Sequence, residues 1–223
     1  MTEAEFEDVI FSDLGDSGLL CEYAQGPLDI ERQRRIWAVC ASLRGMQGVQ
    51  EIVPGMNNLA VLFDLELCVV EDVMARIRDL WRAPTVGTET GREITIPVVY
   101  GGDQGPDLNA LAKRAGLDPA EFAAQHAQAQ YVVYALGSQP GFGYLGGLPA
   151  RLASPRRDVI NPRVEAGSVI IGGAQTAVQS RTTPSGWHVI GKTELALFDP
   201  KAQPPNIFAP GDRVQFILKE VLS

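Results

Sequence analysis

The sequence predicts an α+β fold in two parts: a small N-terminal α+β domain over residues 1–84 and a β-rich C-terminal domain over residues 93–223. Three observations carry that prediction. Before residue 83, short apolar runs of alternating pattern twice give way to helical spacing, which reads as two strand-strand-helix repeats. A polar stretch at 83–92, with Pro84, Gly87 and Gly91, has the composition of a linker. From Tyr131 onward short apolar runs are broken by Gly, Pro and Ser, as in a barrel or a sandwich.

Residues 8–12 and 19–23 form the first strand pair, around the turn Gly15-Asp16-Ser17-Gly18. Pro27 and Asp29 open a helix to about Arg44, with Ile36, Cys40 and Leu43 on one face and Gly45 as its stop. Residues 50–53 and 59–63 form the second pair, joined by Pro54-Gly55-Met56-Asn57-Asn58. The helix after it carries Val70, Val73, Met74, Ile77, Leu80 and Trp81 at helical spacing. Trp37 and Trp81 then pack between helices and sheet. Beyond the linker a strand over 93–100 leads to Asp107, placed to cap a helix through Ala115 that Gly116 ends. Asp118-Pro119-Ala120-Glu121 starts another helix, to about Ala127, with a cap, a proline at the first position and an acid three residues on.

Composition narrows the class. With 223 residues, 45% hydrophobic and 21% charged, the chain suits a soluble globular protein with a sizeable core. A formal net charge of −8 argues against nucleic acid or an anionic membrane as partner. No apolar run approaches the ~20 residues that span a bilayer. The acidic start at residues 1–5 lacks the features of a signal peptide. Cys21, Cys40 and Cys68 are odd in number, lie in apolar surroundings and lack metal-ligand spacing, which reads as reduced core thiols in the cytoplasm.

The densest chemistry lies between Pro140 and Trp187: Pro140-Gly141-Phe142-Gly143-Tyr144-Leu145-Gly146-Gly147-Leu148-Pro149, Pro155-Arg156-Arg157, Gly172-Gly173-Ala174-Gln175-Thr176 and Ser185-Gly186-Trp187. Glycines that admit a ligand to the backbone, with aromatics, two arginines and an amide, suit a site for a small anionic or amide-bearing molecule. A β-rich domain whose tight turns need glycine has the same composition, and the residues alone leave both open. Two nucleotide signatures match literally and fail on context. Residues 141–146 fit GxGxxG, but Gly147, Pro149 and Pro155 leave no room for the helix that pattern requires. Residues 186–193 fit GxxxxGK[ST], yet Trp187-His188-Val189-Ile190 favours a strand, which should continue over 193–198. Of the two histidines, His126 reads first as a partly buried, hydrogen-bonded histidine, with a role as a base as the alternative. No metal site and no catalytic set can be named, which points to a binding module or one subunit of a composite enzyme.

Gly15-Asp16, Val53-Pro54-Gly55-Met56-Asn57-Asn58, Ile96-Pro97-Val98-Val99-Tyr100-Gly101-Gly102, Gly105-Pro106-Asp107-Leu108 and the Pro140–Trp187 block together resemble the KipI / allophanate hydrolase subunit 1 family, and within it the branch of the 5-oxoprolinase B-subunits. The resemblance runs from about Gly15 to Gly211. It implies that the C-terminal domain is a cyclophilin-like β-barrel. It also implies membership of an ATP-dependent 5-oxoprolinase complex that opens 5-oxo-L-proline to L-glutamate. The companions would be an A-subunit of the lactam-utilisation type and a C-subunit of the allophanate hydrolase subunit 2 type, with ATP and Mg2+ used by the complex and no activity in this chain alone. Other members imply a component of a urea carboxylase or allophanate hydrolase, or a kinase-inhibitor protein that binds without catalysis. Under the first reading Phe142 and Tyr144 wall the lactam ring, Arg156 or Arg157 holds its carboxylate or a developing phosphate, and Gln175 with Thr176 meets its amide. The chain departs from the family pattern at Ser138, where an aromatic is common, and at Ala177, Gln179 and Ser180 after Gln175-Thr176.

Overall fold

The computed structural model describes residues 9–23, 29–83 and 91–223. The chain divides into two units, Met1–Glu89 and Thr90–Ser223. Asp8, Pro27 and most of the predicted linker lie outside the described residues.

The first unit runs β1 (Val9–Asp13), β2 (Gly18–Tyr23), α1 (Ile30–Leu43), β3 (Val49–Pro54), β4 (Asn58–Phe63) and α2 (Val70–Arg82). Its antiparallel sheet has the order β1-β2-β4-β3. Alternation decides which face is buried: Leu59, Val61 and Phe63 of β4 point into the core and the residues between them are half-buried. The helices answer with 3.6-residue stripes, Ile36, Val39, Cys40 and Leu43 from α1 and Val73, Ile77 and Trp81 from α2. Each such side chain contributes roughly 1.5–3 kcal/mol by leaving water. Asp29 starts α1 by accepting hydrogen bonds from the backbone N–H of Glu31 and Arg32 at 2.8 and 3.0 Å. Trp81 stacks on Tyr23 with ring centroids 3.7 Å apart, whereas Trp37 is only half-buried. Burial pushes the thiols of Cys21 and Cys40 up to about 12, so both stay protonated and unreactive.

The second unit opens with β5 (Glu93–Gly101), a 3-10 turn at Gly102–Gln104, α3 (Leu108–Ala115) and α4 (Pro119–Gln128). It continues with β6 (Tyr131–Leu136), β7 (Gly143–Gly146), β8 (Asn161–Val164), β9 (Ser168–Gly172), β10 (Gln175–Val178), β11 (Thr183–Ser185), β12 (His188–Lys192) and β13 (Arg213–Leu222). Seven strands close into a barrel in the order β10-β7-β6-β13-β5-β12-β9, with β9 paired back to β10. β13 runs parallel to β5; β8 and β11 form a separate two-stranded sheet. The barrel resolves the choice between barrel and sandwich.

Ile96, Val98, Tyr100, Tyr131, Val133, Leu145, Ile171, Ile190, Val214 and Phe216 fill the barrel with Leu108, Leu111 and Phe122 from the helices. α4 has the predicted capping box between Asp118 and Glu121, and Gly116 ends α3 in the left-handed conformation. Asp212, only 2% exposed, accepts from the backbone N–H of Arg92 and Ala209 and from the Arg92 guanidinium, which ties the start of this unit to β13.

Two local expectations fail. Asp107 makes no cap hydrogen bond to α3, because its carboxylate is engaged elsewhere. Residues 193–197 join no ladder; only Phe198 forms an isolated bridge, to Asn206. The two nucleotide signatures are strands and turns: Gly143–Gly146 is β7 and His188–Lys192 is β12, with no helix opening in either.

Candidate functional site

β9 is buried along its whole length because both of its faces are covered. Val169 and Ile171 face the barrel, while Ile170 joins Phe142, Val164, Ala177, Trp187 and Val189 in a second apolar cluster, with Tyr144 packed against it. The rings meet edge to face: Phe142 and Tyr144 have centroids 5.0 Å apart, and Trp187 lies 6.2 and 6.3 Å from them. Gly172 makes room for the indole, since a Cβ there would come within 2.5 Å of the Trp187 ring.

Above this aromatic floor opens a cavity of about 460 Å³, within the range of small-molecule sites. Phe142, Tyr144, Ile170 and Trp187 line it with Arg156, Arg157, Asp158, Gln179, Thr183, Ser185 and Ser138. The arginine loop is stitched down by its backbone. Arg157 N–H donates to Gly186 O at 2.7 Å, and Ser154 and Gly173 exchange hydrogen bonds. His188 Nε2 lies 2.9 Å from Pro155 O, and since a carbonyl only accepts, that nitrogen carries the proton.

The two arginines differ in what they are free to do. Arg157 reaches both carboxylate oxygens of Asp107, at 2.6 and 2.7 Å, and Asp107 also accepts from the backbone N–H of Val189 at 2.8 Å. Arg157 is therefore a strut that ties its loop to Asp107 at the start of α3, and Asp107 in turn is bonded to β12. Arg156 is exposed and makes no hydrogen bond or ion pair with the described residues; its guanidinium carbon lies 5.9 Å from the Trp187 ring centroid. Ser138 on the rim has φ 62°, a left-handed backbone that costs a serine of the order of 1–2 kcal/mol.

Four of the residues expected from the sequence thus line one cavity: Phe142, Tyr144, Arg156 and Arg157. Gln175 and Thr176 do not. Gln175 is half-buried on β10 opposite Gly172, and the fully buried Thr176 faces the barrel interior. Its hydroxyl donates to Ile170 O at 2.9 Å and lies 3.0 Å from His126 Nε2. With the Thr176 proton committed to that carbonyl, Nε2 must carry the imidazole proton, and Nδ1 accepts from the Tyr100 hydroxyl at 2.8 Å. His126 is fully buried, and burial pushes it down to about 3. A neutral, fully buried histidine with both nitrogens engaged reaches no substrate, so His126 is a structural residue. Gln179, Thr183, Ser185 and Trp187 also line the cavity, although the sequence gives them no contact role. The Ser185-Gly186-Trp187 run is the available signal for the last two, and the departure from the family pattern at Gln179 is the signal for the first. Among the described residues no cluster of His, Cys, Asp or Glu converges to hold a metal ion.

Over residues 9–208 the chain matches the family described as carboxyltransferase domain, subdomain C and D. The chain belongs to that family. It is 41% identical over 204 residues to the 5-oxoprolinase B-subunit of Escherichia coli O157:H7, a match that spans 92% of this chain and 93% of the relative. That bears out the resemblance read from its motifs. The crystal structure of TTHA0988 superposes with a TM-score of 0.78 at 32% identity, over 91% of this chain and 40% of that longer one. Urea carboxylase of Kluyveromyces lactis gives a TM-score of 0.76 over 95% of this chain and 22% of its own. At 16% identity that likeness is one of fold. No helix among the described residues is long and apolar enough to cross a membrane.

Proposed function

We propose that this chain is one subunit of a cytoplasmic, ATP-dependent 5-oxoprolinase complex that opens 5-oxo-L-proline to L-glutamate, and that the cavity over Phe142, Tyr144 and Trp187 receives the lactam. The observation that carries this reading is Arg156, a guanidinium without a hydrogen-bonding partner among the described residues, held over the edge of an aromatic floor. 5-Oxo-L-proline is a small flat ring bearing a carboxylate. The aromatic floor suits its ring, Arg156 its carboxylate by a bidentate pair, and the hydroxyls of Ser185 and Thr183 its amide edge. Ring opening adds water across the amide: the C–N bond breaks, nitrogen leaves as the amine and the carbonyl carbon becomes the γ-carboxylate.

The described residues of this chain do not fit a P-loop site for ATP, because residues 188–192 of the matching motif form a strand. ATP with Mg2+ is therefore assigned to the complex and not to a site on this chain. Tyr144, Arg156, Arg157 and Asp158 are the ionisable groups lining the cavity, and no histidine is among them. The chain on this reading binds and orients. Companions, an A-subunit of the lactam-utilisation type and a C-subunit of the allophanate hydrolase subunit 2 type, complete the reaction. The purified chain alone is expected to show no 5-oxoproline-dependent ATP hydrolysis, and addition of both companions to restore it with glutamate as product. Robust turnover by the isolated chain would sink the division of labour.

A further inference from the structure

Elsewhere on the barrel, β5, β12 and β13 border a second cavity, of about 450 Å³, that shares no residue with the first. The chain has four lysines, and two of them, Lys192 and Lys219, line this cavity. Lys192 stands opposite Val99 on the β12–β5 ladder. On the other side of β5 the β13 register slips between Leu218 and Glu220, so Lys219 is the extra residue of a bulge beside the same Val99. A bulge re-aims a side chain that a regular ladder would place differently. With neighbouring strands ~4.8 Å apart, the two lysine backbones sit roughly 10 Å from one another across β5. Flexible four-carbon stems close that gap.

Neither lysine forms a hydrogen bond or close ion pair with the described residues. Lys192 acts only at longer range on Glu165, whose carboxyl is lowered chiefly by Thr182 and then Arg163. Two ammonium groups without a close ion pair, lining one cavity, are conspicuous in a chain of net charge −8. The remaining polar lining includes the carboxylate of Glu194 and the amide of Gln104, set against an apolar wall of Pro97, Val99 and Leu195. Lys192 is also the lysine of the P-loop match, and the strand that excludes that motif delivers it here.

We propose that this cavity binds an α-amino dicarboxylate: Lys192 and Lys219 take its two carboxylates, Glu194 takes its ammonium group, and Gln104 adds an amide hydrogen bond. L-Glutamate is the simplest probe of that class. The proposal stands without the reaction assigned to the complex, because its test reads binding to this chain and not turnover.

Calorimetric titration of the full chain with L-glutamate at low ionic strength is expected to saturate with a dissociation constant of about 1 mM or tighter. Lys192→Met with Lys219→Met should weaken it at least about tenfold, as expected for lost charged hydrogen bonds, and Lys201→Met should leave it unchanged. Glu194→Gln should weaken L-glutamate while sparing glutarate, the same dicarboxylate without the amine. Absence of saturable binding, or equal affinity in the double lysine variant, would overturn the site. An identical response of both ligands to Glu194→Gln would overturn the ligand class, and that comparison also decides the matter if the double variant misfolds.

Discussion

Arg156→Ala in the reconstituted complex is expected to lower kcat/KM for 5-oxo-L-proline by about 10- to 100-fold while the subunits still assemble. The magnitude follows from removing charge-assisted hydrogen bonds of roughly 1.5–3 kcal/mol at 1.4 kcal/mol per tenfold. Folding should be unaffected, because Arg156 is exposed and makes no hydrogen bond or ion pair with the described residues. Arg157→Ala makes a useful contrast. It also breaks the pair with Asp107, at 2.6 Å, so its loss of activity should come with altered stability. Steady-state rates beside size-exclusion profiles separate the two cases. A change below about threefold in Arg156→Ala, set against that tenfold lower bound, would remove Arg156 from the site.

Stability should respond most strongly to changes in the buried Tyr100–His126–Thr176 chain. Thr176→Val keeps the volume but leaves the His126 Nε2–H without an acceptor, which should cost about 1–3 kcal/mol in urea unfolding. The same histidine predicts a pH dependence. In the unfolded chain it takes up a proton as pH falls below its ordinary 6.5, whereas the native core refuses one until about 3. The unfolded state therefore binds more protons across that window, and stability falls with falling pH by up to about 1.4 kcal/mol per unit. His126→Leu should flatten that part of the profile and match wild type in slope above pH 7. Parallel slopes in both proteins between pH 6 and 4 would mean that His126 does not carry the effect.

Local, periodic features were legible in the sequence. The stripes of α2, the capping box of α4 and the alternation of β4 each follow from residues within a few positions of one another. Pairing across the barrel was not legible in that way. Gln175 and Thr176 lie within a Gly-rich run, but pleating alternates their sides, so Thr176 enters the barrel and Ala177 joins the aromatic cluster. Gln179, past the end of β10, is the amide that reaches the cavity. Asp107 had the local look of a helix cap, and lost that role to Arg157, 50 positions away. His126 is the buried, hydrogen-bonded histidine that the sequence reading favoured, because α4 packs on β13 and turns that face into the core. The misses at Thr176 and Asp107 were each decided by a contact distant in sequence.

On the proposed function the lactam sits on the Trp187 floor of this chain. Fluorine NMR of the complex, with 5-fluorotryptophan in this chain only, reads that placement. The chain has three tryptophans, Trp37, Trp81 and Trp187, assignable by single Trp→Phe replacements. Adding 5-oxo-L-proline is predicted to shift the Trp187 resonance saturably and leave Trp37 and Trp81 in place, with the shift lost at the same concentration in Arg156→Ala. Turnover at a substrate concentration that leaves the Trp187 resonance unmoved would contradict that placement.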